Sequence, residues 1–174
     1  MSFTPFPILQ TKRLLLRQVK ITDSDSILFL RSDKVVNQYI RRATPKNLGD
    51  SMQFIQKISK KIANKELIYW GISLQNSTGL VGTICLWNFS ADKKIGEVGY
   101  DLHPAFHQQG IMGEALSKVV TYGFVSLQLH SIEAFTHRAN EASKKLLEKN
   151  GFQELIGRVD AANLDNIVFK RNIL

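Results

Sequence analysis

The stretch Tyr100-Asp101-Leu102-His103-Pro104-Ala105-Phe106-His107-Gln108-Gln109-Gly110-Ile111-Met112-Gly113-Glu114-Ala115-Leu116 decides the fold. A strand from Ile95 ends at Leu102, and His103-Pro104 breaks it. A polar loop follows. From Gly110 to about Leu127, Ile111, Ala115, Leu116, Val119, Val120 and Phe124 recur at helical spacing. A loop that feeds a helix start leaves backbone N–H groups without partners, which is an anion site in waiting. Gly110 permits close approach of a ligand to the backbone, and it equally suits an ordinary tight turn. The residues alone leave both readings open.

Working outward, Arg13 to Arg17 predicts a first strand, and Thr22-Asp23-Ser24-Asp25 offers N-caps for a helix carrying Ile27 to Leu30. Thr44-Pro45 predicts a second helix, N-capped at Thr44 and running to about Asn64, with an apolar stripe of Phe54, Ile55, Ile58 and Ile62. Residues 67–74, 80–88 and 95–102 read as an antiparallel meander with turns at 75–79 and 92–94. After the central helix come a strand at 131–136 and a helix at 140–150, N-capped by Asn140 and closed by Asn150-Gly151. Two closing strands follow, at 152–159 and 167–173. No repeat, linker or low-complexity tract divides the chain. The expectation is one α/β domain over residues 1–174, with a mixed, mostly antiparallel sheet flanked by helices.

The 174 residues are 44% apolar, enough for a sizeable core, and no apolar run is long enough to cross a bilayer. The opening MSFTPFPILQTKR lacks the basic-then-apolar order of a secretion signal. One cysteine, Cys85, excludes an internal disulfide and a cysteine-based zinc cluster. These features predict a cytoplasmic protein that does not associate with membranes. The net charge of +8 is uneven: residues 1–64 hold twelve Lys or Arg and four Asp, whereas residues 65–174 hold eleven of each sign. A basic first third suits an acidic partner, or is simply a solvated face, since Lys57, Lys60 and Lys61 lie mostly off the apolar stripe. No zinc-finger spacing or aromatic RNA-binding signature points to specific nucleic-acid reading.

Joined in order, several segments resemble the GNAT superfamily of N-acetyltransferases. Its cofactor motif, Gln/Arg-x-x-Gly-x-Gly/Ala at the start of the central helix, falls on His107-Gln108-Gln109-Gly110-Ile111-Met112. Only the fourth position matches; His107 and Met112 depart. Gly110-Ile111-Met112 followed by Glu114-Ala115-Leu116 looks like the RimJ/RimL branch, which acetylates ribosomal-protein N-termini. Lys12 to Arg17, Val81 to Ile84, Glu97 to Leu102, and Asn140 to Ser143 with Leu146 and Asn150-Gly151-Phe152 match that branch in the same order. The resemblance spans about Thr11 to Ile173.

It implies a GNAT-like fold with a splay between two central parallel strands, an acetyl-CoA-binding core over 95–152, and an acceptor-side segment over 1–64. Backbone N–H groups of Gln108, Gln109, Gly110, Ile111, Met112 and Gly113 would hold the pyrophosphate. The strand carrying Val98, Gly99, Tyr100 and Leu102 would pair with the pantetheine amides, with Asn140 and Ser143 beside that arm. The implied reaction is direct acetyl transfer to a primary amine, with no covalent intermediate and no metal. Members with a glutamate base carry it near Glu97, which shares one strand face with Gly99 and Asp101 and so faces either the substrate cleft or water. Asp160 and Asp165 are weaker candidates. The tyrosine that often protonates the leaving thiolate is replaced by Leu147, and Ser143 matches a serine the branch places near the sulfur. His103 and His107 read as loop or cofactor contacts. Trp70, Trp87 and Phe89 read as core or as an acceptor wall. The implied partners are acetyl-CoA and an amine acceptor, acidic or ribosome-associated, with the protein a monomer or homodimer. The alternative is an inactive CoA-binding module of the same fold.

Overall fold

The computed structural model describes residues 3–173. Eight strands form one sheet: β1 (Leu9–Gln10), β2 (Leu14–Gln18), β3 (Ile68–Leu74), β4 (Leu80–Trp87), β5 (Ile95–Leu102), β6 (Ser131–His137), β7 (Gln153–Glu154) and β8 (Asn166–Asn172). Their order is β1-β2-β3-β4-β5-β6-β8-β7. Among the described residues there are also four α-helices, α1 (Ser24–Ser32), α2 (Leu48–Ala63), α3 (Ile111–Val125) and α4 (Glu141–Lys149), and two short 3-10 helices at Ile21–Asp23 and Pro104–Phe106. Every neighbouring pair is antiparallel except β5 and β6, which are joined by the α3 crossover and run parallel.

The helices cover both faces. Tyr69 meets Phe54 of α2 edge-on at 5.8 Å, while the next residue, Trp70, meets Tyr122 of α3 at 5.5 Å. Successive strand residues point to opposite faces, so α2 lies on one side of the sheet and α3 on the other. Trp70 is fully buried, as are Leu14, Leu16, Ile84, Leu86, Leu116 and Phe169. The stripe on α2 behaves as its spacing predicts, with Ile55, Ile58 and Ile62 buried, Phe54 half-buried, and Lys57 and Lys60 exposed. Gly82 marks a tight approach of β4 to β5: a Cβ there would stand 2.5 Å from the Asp101 carbonyl oxygen.

Two local expectations are corrected, and one strand is added. The second helix is N-capped by Asn47, not Thr44: Asn47 Oδ1 accepts from the Asp50 amide at 3.0 Å, while Asp50 Oδ2 accepts from the Lys46 amide at 2.7 Å. This local exchange satisfies the first turn, and Thr44-Pro45 stays in the entering loop. The strand expected at 152–159 pairs only over Gln153–Glu154, because Gly157, at φ 83°, turns the chain away from the sheet edge. The two-residue strand β1, invisible as a pattern, pairs with β2.

The parallel pair positions the site. β5 and β6 are in register only at Ile95–Ser131, Gly96–Ile132 and Glu97–Glu133. Beyond Glu97 they diverge, β5 staying with β4 and β6 with β8. Residues 98–102 and 134–137 therefore border an opening in the middle of the sheet.

Candidate active site

Three features converge on that opening. The first is the loop into α3. Gln108 and Gly110 both adopt left-handed backbone, at φ 58° and 72°. Among the described residues, the amides of residues 108–113 find no hydrogen-bond acceptor. Six consecutive unpartnered donors at a helix N-terminus form a strong anion cradle. Ile111 and Met112 are core side chains, so only their amides face the loop. The loop is braced from β2. Arg13 donates to the Gln109 carbonyl at 2.9 Å and pairs with Glu114 at 2.6 Å, and Thr11 also donates to Glu114. His107 is exposed, with Nε2 3.0 Å from the Leu102 carbonyl. His103 stacks on Phe29 at 4.3 Å and accepts from the Ala105 amide. Both histidines are thus loop braces, and no group of three metal-ligating side chains occurs among the described residues.

The second feature is a cavity of about 740 Å³ that passes through the splay. On the α3–α4 side it is lined by Tyr100, Asn140 and Ser143; on the α1–α2 side by Arg31, Phe54 and Ile58. Asn140 caps α4 by accepting from the Ser143 amide at 3.1 Å. Ser143 Oγ lies 2.8 Å from the Tyr100 hydroxyl. One hydroxyl donates to the other, which leaves a second hydroxyl proton for whatever occupies the splay. Burial pushes the Tyr100 phenol up to about 12, so it stays protonated at neutral pH. Leu147 is fully buried. A tyrosine is therefore present, from β5 instead of α4, a placement that sequence reading assigned only to the cofactor strand. Val98 points into the core and Leu102 is half-buried.

The third feature is the β-sheet floor. The register rows Thr83–Asp101, Cys85–Gly99 and Trp87–Glu97 place six side-chain positions on one face, all lining the cavity. Glu97 is half-buried, and Asn88, itself left-handed at φ 46°, donates to its carboxylate at 3.2 Å. Burial, reinforced by the negative charges of Asp160 and Glu133, pushes Glu97 up to about 7 despite that hydrogen bond. Asp101 is occupied differently. It pairs with Arg42 at 2.8 Å and accepts from Thr83 at 2.7 Å, while Thr83 accepts from Tyr69 at 2.8 Å. Burial pushes the Cys85 thiol up to about 12, too high for a nucleophile. Asp160 also lines the cavity, with Oδ2 held by Asn166 at 2.8 Å, whereas Asp165 is an exposed partner of Arg41. Trp87 lines the cavity, Trp70 is core, and Phe89 packs beside Gly96. Arg13, Arg42 and Asn88 had no local signal: Arg13 and Arg42 meet their partners 101 and 59 residues away, and Asn88 reaches Glu97 only because β4 pairs with β5.

Unpartnered amides at a helix start, a splayed parallel pair and a raised carboxylate can together hold an anionic ligand beside a proton acceptor. Comparison with known proteins gives the family. The acetyltransferase (GNAT) domain matches residues 13–153, and the chain belongs to that family. It is 36% identical over 149 residues to the N-acetyltransferase YoaA of Bacillus subtilis, covering 86% of this chain and 84% of that one. Among solved structures it resembles RimL, the ribosomal L7/L12 α-N-protein acetyltransferase in complex with coenzyme A (TM-score 0.81, 17% identity, 96% and 98% of the two chains). It also resembles the microcin C7 self-immunity acetyltransferase MccE in complex with acetyl-CoA and AMP (TM-score 0.79, 19% identity, 94% of each chain). The fold is GNAT-like, as these structures share it, and the protein is an acetyl-CoA-dependent N-acetyltransferase. No helix among the described residues is long and apolar enough to cross a membrane.

Proposed function

We propose that the acceptor amine, from a protein N-terminus or a small molecule, enters from the α1–α2 side and is acetylated by direct attack, with Glu97 as the base. The observation that carries this reading is the continuity of the cavity through the splay, with Glu97 on one face and the Tyr100–Ser143 pair on the other. The amides of residues 108–113 suit the pyrophosphate, and the open edge of Val98, Gly99, Tyr100 and Leu102 suits the pantetheine amides, with Asn140 alongside. When bound, acetyl-CoA supplies the thioester that the amine attacks. Glu97, held near 7, accepts the proton that the amine nitrogen loses as the N–C bond forms. The Tyr100–Ser143 pair presents a hydroxyl proton to the departing thiolate as the C–S bond breaks. The residue 1–64 segment forms the acceptor wall, and the cytoplasm, where acetyl-CoA and nascent or ribosomal N-termini are found, is the compartment this reading favours.

The test is calorimetric titration with acetyl-CoA followed by an amine and peptide screen for CoA release. Micromolar binding with amine-dependent release is the expected result. Tight binding with no release across a broad panel would leave an inactive CoA-binding module; no binding would mean that His107 and Met112 disable the cradle.

A further inference from the structure

The acceptor side of the cavity holds three arginines, and two of them are neutralised: Arg42 by Asp101 at 2.8 Å and Arg41 by Asp165 at 2.7 Å. Arg31 is different. It emerges from the last turn of α1, half-buried, with its guanidinium lying 3.9 Å over the Phe54 ring. Among the described residues no carboxylate comes within 4 Å of it. The Tyr69 hydroxyl offers it a hydrogen bond, Asp101 attracts it at longer range, and Arg42 repels it. A guanidinium withdrawn from water and stacked on an aromatic ring is held in one orientation, with most of its five donors unspent. Such a group fits an oxyanion.

Its position relative to Glu97 limits the distance. Glu97 and Asp101 lie four residues apart on the same face of β5, about 13 Å along the strand. Arg31 lies toward the Asp101 and Tyr69 end. An amine at Glu97 and an oxyanion at Arg31 are therefore separated by up to about four residue lengths of an extended peptide, a gap that an acidic side chain two residues after the α-amine can span.

On the reading that Glu97 receives the acceptor amine, we infer that Arg31 is an oxyanion subsite and that the preferred acceptor is a peptide α-amine followed closely by an acidic side chain. Polyamines are disfavoured, because a second cation would face Arg31.

The test compares Ala-Ala-Glu-Ala, Ala-Ala-Gln-Ala and Ala-Ala-Lys-Ala amides as acceptors for wild type, Arg31→Gln and Arg31→Lys. Wild type should favour the Glu peptide over the Gln peptide about tenfold in kcat/KM, through KM. Arg31→Gln should bring that ratio close to one, and Arg31→Lys should restore part of it, with unchanged acetyl-CoA affinity reporting an intact fold. Equal ratios in wild type and Arg31→Gln, or a preference for the Lys peptide, would overturn the inference. A second readout does not need turnover: Trp87, exposed in the cavity, reports binding of the N-acetylated peptides to CoA-loaded protein by fluorescence. If no peptide is acetylated, the transfer reading fails, and this arm still decides the subsite. Tighter binding of the Glu product, abolished by Arg31→Gln, supports it; equal or no binding overturns it.

Discussion

Replacing Glu97 by Gln separates the chemical role of the carboxylate from its structural burden. Burial raises the group from 4.5 to about 7, so the folded protein holds this proton more tightly than the unfolded chain does. The associated stabilisation is complete below pH 4.5 and is lost as pH rises through about 7. At 1.36 kcal/mol per unit, the full shift corresponds to roughly 3 kcal/mol. Water reaches part of the side chain through the cavity mouth, so about 1–2 kcal/mol is expected. Gln carries no charge and keeps a hydrogen-bonding oxygen for Asn88. Glu97→Gln should therefore match wild type in stability near pH 4.5 and exceed it by about 1–2 kcal/mol at pH 8, a rise of about 2–8 °C in Tm for a chain of this size. Catalysis should move the opposite way. Wild-type kcat/KM should climb with pH through a break near 7, and Glu97→Gln should lose that break and about 10²-fold in rate. Thermal melts at pH 4.5 and 8 and a pH–rate profile check both arms. A variant no more stable at pH 8 than wild type would refute the burial argument. An unchanged profile would refute the base.

Arg13→Ala removes the brace between β2 and the α3 loop, and acetyl-CoA binding measured by calorimetry should weaken about tenfold, with acceptor KM unchanged. Tyr100→Phe and Ser143→Ala should each lower kcat about tenfold, and the double variant little further, because the two hydroxyls act as one pair; additive losses in steady-state kinetics would show separate roles. Gly82→Ala forces a Cβ to within 2.5 Å of the Asp101 carbonyl, which cannot yield without shifting β5; denaturant unfolding should show a loss of about 2 kcal/mol, and activity should fall with the displaced Asp101–Arg42 pair.

Much of this protein is written locally. The periodicity of α2 and α3, the strand patterns of β3 to β5, the Asn140 cap and the Gly110 turn depend on neighbours within a few residues, and each can be read from the chain. The alternation of β5 likewise places Glu97, Gly99 and Asp101 on one face, as the register with β4 shows. Short elements fared worse. A two-residue strand has no period, so β1 became visible only through its partner β2, and the closing strand expected at 152–159 was cut to β7 by a turn no pattern marked.

The site divides along the same line. Sequence order singled out the loop into α3, Glu97 and Ser143. The tertiary structure decided which of these groups is free to act. Asp101 is neutralised by Arg42 from the loop after α1, while Glu97 on the same face is left titratable by burial and its acidic neighbours. Tyr100 takes the position beside Ser143 that a helix residue leaves vacant at Leu147, and Arg31 is left without a counter-ion when its neighbours find theirs. Charge pairing and desolvation depend on side chains brought together from 40 to 125 positions apart, and no local pattern carries that information.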